Sequence, residues 1–295
     1  MVEGAVIPRT RQGSPPSLLL NFFGGYWWGR TEPFPSAALV NMLGDFGVSD
    51  VSARAALSRM QKHGLLVSSR SGRNTAYVVS PRGVTVLQEG LRRLQQFGQD
   101  AGPWDGRWRL VALTTPENQR SLRDAVRGRL RWLGFAALND GVWVSPHDRH
   151  AAALEALDEL GISNATLLTA QVAMTRPHTK DPREAWDLTE LAQEYREFIL
   201  ECQAMRASLA RAEFTPAEAL VERTRLGDRW LDFARSDPDL PTELLPEDWP
   251  RAQARGEFHA THRALGKLAV ERVREIVSEI DPSLGALVTG HEILT

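Results

Sequence analysis

Residues 49–77 read SDVSARAALSRMQKHGLLVSSRSGRNTAY, and this stretch decides how the N-terminal part of the chain folds. Its pattern predicts a helix from Asp50 to His63 that ends at Gly64. Two short strands follow, joined by a turn at residues 71–74. A helix that stops at a glycine and passes into a hairpin is therefore expected.

The predicted helix has a favourable first turn and one apolar face. The hydroxyl of Ser49 can accept a hydrogen bond from a first-turn amide, and Asp50 places a carboxylate at the positive end of the helix dipole. The apolar residues recur at three- and four-residue spacing, namely Ala53, Ala56, Leu57 and Met60. Leu65 and Val67 are expected to continue the burial beyond the helix.

The opposite face combines small hydroxyls with cations and has no acid beyond the first turn: Ser52, Arg54, Ser58, Arg59 and Lys62. Such a face suits DNA, because small hydroxyls allow close approach and arginine supplies a planar donor fork for phosphates and base edges. These five residues are predicted to contact the major groove. Arg70 and Arg73, at the hairpin tip, are predicted to contact phosphate or the minor groove. An amphipathic helix with a solvated basic face is the alternative, because helix-turn-helix patterns are short and degenerate.

The residues upstream favour the DNA-binding interpretation. Residues 18–28 are apolar enough for a first helix or strand, Ser36 can cap a helix over Ala37–Phe46, and Gly47 can form the turn. A helix, a turn, a second helix and a hairpin with arginines at its tip form the outline of a winged helix-turn-helix.

Charge is unevenly distributed along the 295 residues. Residues 1–100 contain 11 basic and 6 acidic side chains, whereas residues 181–295 contain 14 and 23. The net charge of −2 therefore hides a basic N-terminal part, and local potential sets contact with phosphate. The single Cys202 excludes an internal disulfide, and no apolar run approaches the ~18 residues of a membrane-spanning helix. We expect a soluble, cytoplasmic protein without membrane attachment.

The central region predicts the order β-α-β-β-α-β of a ferredoxin-like fold. Alternation at 108–113 predicts the first strand, and Asp140-Gly141 is a strong hairpin signal. The remainder predicts helices at 186–212, 216–234 and 253–280, with an apolar proline-rich loop between the last two that packs onto the helices. The chain is thus expected to be an α+β multidomain protein, with a flexible arm (1–16), a winged helix-turn-helix domain (17–98), a ferredoxin-like domain (104–176) and a helical C-terminal domain (183–295).

Enzymatic chemistry finds little support. No nucleophile elbow, Walker loop or dinucleotide fingerprint occurs, so no cofactor, catalytic residue or metal site is predicted. His259 and His262 lie at i and i+3, but a metal needs further ligands, so we expect polar or packing roles. Tryptophans near the domain joints could line a pocket, with Arg107 or Arg109 near phosphates; core packing is favoured for most of them.

Several motifs resemble the phenylacetic acid catabolism repressor (PaaX-like) family. They are LGDFGVS (43–49), VSARAALSRM (51–60), GLL (64–66), WDGRWRLV (104–111), DP (237–238) and LPTELLPEDWP (240–250). Phe23-Gly24-Gly25 departs from the Phe-Gly-Asp that the family often shows.

The resemblance implies a transcriptional regulator, usually a repressor of aromatic-compound catabolism. With the predicted DNA-binding helix, it leads us to expect a protein that binds double-stranded operator DNA as a homodimer. It implies release by an aryl-CoA thioester such as phenylacetyl-CoA; the effector of this chain and its binding residues stay unknown. Two alternatives remain open: a metal-dependent nuclease on the central domain, and an interaction adaptor that binds no DNA. The nuclease would require a carboxylate at the end of the first central strand, where Leu113-Thr114-Thr115 stands.

Overall fold

The structure is a computed structural model that describes residues 13–71, 74–99, 103–115, 119–173 and 181–291. It is mostly helical with two small antiparallel sheets, which confirms the α+β class. Contacts divide the chain into two compact units that do not follow chain order. The first comprises residues 1–97, 196–234 and 252–295, and the second comprises residues 98–195 and 235–251.

Four helices and a three-stranded sheet form the N-terminal part of the first unit. In chain order they are α1 (Pro15–Tyr26), β1 (Phe34–Pro35), α2 (Ser36–Gly44), α3 (Asp50–Lys62), β2 (Leu66–Ser71), β3 (Asn74–Val79) and α4 (Pro81–Gln96). The sheet order is β1-β3-β2, and both pairings are antiparallel. For residues 18–28 the sequence allowed either a helix or a strand, and the structure shows helix α1 there, which ends at Tyr26.

The central elements belong to the second unit. They are β4 (Trp108–Ala112), α5 (Arg120–Trp132), β5 (Ala136–Asn139), β6 (Val142–Ser145), α6 (His150–Glu159) and β7 (Thr166–Ala170), in the sheet order β5-β6-β4-β7. The hairpin predicted at Asp140-Gly141 joins β5 to β6. Gly141 has a φ of 74°, and a Cβ there would lie 2.7 Å from the carbonyl oxygen of Leu113, so this turn requires glycine.

The C-terminal elements are all helical: α7 (Thr189–Ala210), α8 (Pro216–Ser236), α9 (Arg251–Ser278) and α10 (Pro282–Gly285). Helix α8 begins with a capping box. The Glu218 amide donates to the Thr215 hydroxyl at 3.2 Å, and the Thr215 amide donates to the Glu218 carboxylate at 2.9 Å. This confirms the N-terminus predicted for the helix. No helix in the described part of the chain is long and apolar enough to cross a membrane.

The core of the first unit joins α1 to α9. Trp27 and Phe34 make a T-shaped contact with ring centroids 4.8 Å apart, a favourable geometry for aromatic pairs. Val273 and Val277 of α9 belong to the same buried cluster. The N-terminal helices and the last long helix therefore share one core, although they are far apart in sequence.

The packing of Val67 was predicted wrongly, and that of the proline-rich loop was predicted only in part. Val67 is 55% exposed because β2 begins at Leu66, so strand alternation buries Leu66 and turns the next side chain outward. In the proline-rich loop, Leu240 and Leu244 pack with Trp108 and Val144 of the sheet. Trp249 of the same loop contacts Tyr195 of α7 with ring centroids 5.9 Å apart, so the predicted packing onto helices is confirmed only in part.

Candidate nucleic-acid interface

Helix α3 begins at the predicted residue. The backbone N–H of Ser52 donates to the Ser49 hydroxyl at 3.4 Å, and Asp50 lies in the first turn. The helix ends at Lys62, one residue before the predicted end, and Gly64 follows with a φ of 70°. The predicted apolar stripe is confirmed, because its four side chains are at most 1% exposed: Ala53, Ala56, Leu57 and Met60.

The cationic face of α3 is exposed to solvent. All five residues predicted to contact the major groove lie on this exposed surface: Ser52, Arg54, Ser58, Arg59 and Lys62. The Arg54 guanidinium lies 3.9 Å from the Asp50 carboxylate, with side chains 65% and 76% exposed, so the pair is weak. Among the residues that the structure describes, no carboxylate pairs with Arg59 or Lys62. These two cations are available to an external anion.

Val51 is a surface residue that the sequence reasoning missed. Its side chain is 79% exposed in the first turn of α3, beside Ser52. An apolar side chain at such a position can contact the methyl group of thymine. The sequence carried a signal for it, because Val51 lies outside the regular apolar stripe of the helix.

The β2–β3 hairpin adjoins the end of α3. The Gln61 side-chain amide donates to the Ser68 hydroxyl at 3.0 Å, which joins the helix to β2. Arg70 is exposed and pairs in register with Thr75 of β3. Arg73 lies outside the described residues. The structure thus brings six of the seven predicted contact residues onto α3 and the adjoining strand.

Helix α9 holds the turn that precedes α3. Arg272 of α9 donates two hydrogen bonds of 2.9 Å to the two carboxylate oxygens of Asp45, between α2 and α3. Bidentate pairs of this kind are directional, and these contacts raise the pKa of Arg272. The position of the exposed helix therefore depends on a C-terminal helix, which no local sequence signal indicates.

In the second unit, Arg109 and the tryptophans near it contact one another or their neighbours within the unit. Arg109 is 8% exposed and donates to both carboxylate oxygens of Asp105 at 2.9 and 2.7 Å, which lowers the pKa of Asp105 to about 2. The Trp108 ring lies 5.1 Å from Trp104 and 6.1 Å from Trp186 between centroids. The packing interpretation of these tryptophans is confirmed.

Metal-binding side chains do not cluster in the described part of the chain, where no three His, Cys, Asp or Glu residues could hold one ion. Glu117, the acid nearest to the end of the first central strand, lies outside the described residues. His259 and His262 are 6% and 8% exposed and contact the Phe258 ring at 5.2 and 5.5 Å. Their packing role is confirmed.

Comparisons with known proteins identify relatives along most of the chain. Three family models match it: PaaX-like protein (residues 14–83), PaaX protein central Cas2-like domain (101–184) and PaaX-like protein C-terminal domain (186–275). The chain is 31% identical over 248 residues to the transcriptional repressor PaaX of Escherichia coli (strain K12). The aligned region covers 82% of this chain and 77% of the relative.

A solved structure shares the fold. It is the uncharacterized protein Rv0674 from Mycobacterium tuberculosis, with a TM-score of 0.58 and 23% identity over 87% of this chain and 97% of that one. The relationship to a repressor supports a regulator that is not an enzyme. The chain belongs to the PaaX-like protein family.

Proposed function

We propose that this protein is a sequence-specific DNA-binding repressor that reads its operator with helix α3. The observation that carries the proposal is the exposed face of α3, on which Arg59 and Lys62 have no carboxylate partner among the described residues. Exposed side chains of this kind are free to bind phosphate oxygens and base edges. The related protein named a transcriptional repressor supports the same function.

The N-terminal part of the first unit acts as a winged helix-turn-helix. Helices α2 and α3 are separated by a short turn, and the two-stranded wing follows α3, which is the chain order such domains use. The first turns of α3 enter the major groove, where Ser52 and Arg54 reach base edges and Val51 contacts a thymine methyl. Ser58, Arg59 and Lys62 extend this surface along the helix. Arg70 and Arg73 hold phosphate or line the minor groove.

The protein acts in the cytoplasm as a homodimer. Its central βαββαβ region, with sheet order β5-β6-β4-β7, is ferredoxin-like and serves dimerisation and response to a ligand. A twofold dimer pairs with an inverted-repeat operator, and half-sites one helical turn apart place both α3 helices in the major groove. In this proposal the three domains have the boundaries predicted from the sequence: 17–98, 104–176 and 183–295.

The regulated genes encode steps of aromatic catabolism, and an acyl-CoA thioester such as phenylacetyl-CoA releases the operator. Release requires that the effector bind the form without DNA more tightly than the DNA-bound form. A substantial shift of the bound fraction needs a difference of about 1–3 kcal/mol.

The deciding experiment measures binding of the purified protein to the DNA upstream of its own gene. At about 0.15 M salt with excess non-specific competitor, we expect a complex that the competitor does not abolish. Arg59→Ala should weaken this complex, whereas Arg225→Ala, which removes an exposed guanidinium from α8, should leave it unchanged. Competitor-sensitive binding by the native protein would contradict the proposal. Degradation of the DNA that depends on a divalent metal would support the nuclease alternative instead.

A further inference from the structure

A cationic pocket of about 400 Å³ lies beside α9 in the first unit. Its volume is in the range of small-molecule sites, roughly 300–1,000 Å³. Basic side chains of α8 and α9 dominate its wall: Arg223, His259, His262, Arg263, Lys267 and Arg274. Glu271 is the one acid among the lining residues that the structure describes. The DNA-binding surface of α3 does not use this pocket.

Arg223 is a buried cation without an acidic partner. It is 5% exposed, and its guanidinium donates to the His262 carbonyl at 3.2 Å, the Tyr26 hydroxyl at 3.1 Å and the His291 carbonyl at 3.1 Å. All three acceptors are neutral. Within the described ranges, no carboxylate forms an ion pair with it. Because a buried charge is costly unless it is paired, Arg223 leaves a positive charge uncompensated at the pocket wall.

Burial, with a smaller contribution from neighbouring arginines, lowers the pKa of both pocket histidines. Burial lowers the pKa of His262 well below its usual value, and Arg223 lowers it further. Burial, followed by Arg255 and Arg263, lowers the pKa of His259 to about 4, and its Nε2 atom has no hydrogen-bond partner. Both rings are therefore neutral at pH 7. A neutral imidazole can donate one hydrogen bond to an anion without adding another buried charge.

Gly25 of α1 lies beside the guanidinium of Arg223. A Cβ atom at this position would lie 3.7 Å from Nη1 of Arg223, at ordinary contact distance. An acidic side chain on α1 could therefore reach the guanidinium. In this chain the position carries no side chain, so the charge stays open to an external ligand.

We propose that this pocket binds a small molecule through an oxyanion, either a carboxylate or a phosphate, which pairs with Arg223 and with Arg263 and Lys267 near it. Helix α9 carries Lys267 and also Arg272, which holds the turn before α3. Arg223 also donates a hydrogen bond to the Tyr26 hydroxyl of α1. An anion that binds the Arg223 guanidinium would weaken this hydrogen bond and so alter the packing beneath the DNA-binding helices. This effect on DNA rests on the proposed function, whereas ligand binding itself does not.

Isothermal titration calorimetry of the full chain without DNA tests the binding. The probes are inorganic phosphate, phenylacetate, coenzyme A and phenylacetyl-CoA. Binding of coenzyme A and its thioester, but not of phenylacetate, supports a phosphate; the reverse pattern supports a carboxylate.

Arg263→Gln and Lys267→Gln, both at exposed positions, should each weaken binding by about tenfold or more, because each removes a charge-assisted hydrogen bond. Arg225→Gln, outside the pocket wall, should bind as the native protein does.

Gly25→Asp provides a second test, in which the protein itself supplies an anion next to Arg223. The new carboxylate should pair with Arg223 and abolish probe binding while the protein stays folded. The pocket proposal is overturned if none of the four probes binds at millimolar concentration, or if Arg263→Gln and Lys267→Gln bind as tightly as the native chain. A probe that binds with the expected variant pattern but leaves operator affinity unchanged supports the pocket and contradicts only the coupling to DNA.

Discussion

The arginines of α3 and those of the second unit are the same residue type in opposite environments. Arg251 is 8% exposed and its guanidinium lies 3.3 Å from Asp237 and 3.0 Å from Asp239. Arg59 is exposed and pairs with no carboxylate in the described part of the chain. The buried arginine is neutralised inside its own unit, so it stabilises the fold. The exposed arginine contributes little to folding and remains available to an external anion.

Removal of Arg251 tests the structural half of this comparison and should have the largest effect. The Tyr195 hydroxyl also donates to Asp237 at 2.7 Å, so Arg251→Ala would leave a buried carboxylate network without its cation. Loss of one partner of a buried pair typically costs about 3–5 kcal/mol. Urea unfolding should show this decrease. Arg59→Ala is the matched control, and its free energy of unfolding should change by less than about 0.5 kcal/mol.

Removal of Arg59 tests the functional half. If this side chain reads a base edge, Arg59→Ala should weaken operator binding by about 1–3 kcal/mol and relax the preference at one base pair. Fluorescence anisotropy with operator and scrambled duplexes measures both quantities. Unchanged operator affinity would remove Arg59 from the contact surface.

The pH dependence of stability concerns a third kind of site, a buried base without a counter-ion. His259 has a folded-state pKa of about 4, below the usual value of 6.5. As the pH falls below 6.5, the unfolded chain takes up a proton that the folded chain excludes. The stabilisation present above pH 6.5 is therefore lost towards pH 4, by about 1–2 kcal/mol between pH 7 and 5. Urea unfolding of His259→Gln at both pH values should show a correspondingly smaller decrease than the native chain does.

Arg70 should give the smallest effect, on salt dependence. Because a phosphate contact releases counterions, Arg70→Ala should lower affinity for all DNA sequences and reduce the slope of log K against log salt by about 1. The same result is expected for Arg73→Ala. Arg92→Ala is a suitable control, because Arg92 is held by Glu89 at 2.8 Å on α4. An unaltered slope for Arg70→Ala would show that Arg70 of the hairpin does not contact phosphate.

Local patterns predicted α3 well because its signals lie within the helix itself. Ser49, the apolar stripe and Gly64 act over one or two turns, so the ends of the helix and its buried face follow from residues 49–64. The expected burial of Val67 was wrong for a related reason. Val67 is apolar, but β2 begins at Leu66, so the alternation of the strand turns the Val67 side chain towards solvent.

The sequence by itself determined most of the secondary-structure order, the two faces of α3 and the membership of the PaaX-like family, because each depends on residues close together along the chain. The tertiary structure decided which cations pair with groups that are distant in the sequence. Arg272 binds Asp45, 227 positions away in the sequence, and Arg223 contacts Tyr26, 197 positions away. Gly25, which also lies near the Arg223 guanidinium, has no side chain that could supply a carboxylate. Charge compensation depends on distances of a few ångströms in space, which spacing along the chain does not specify.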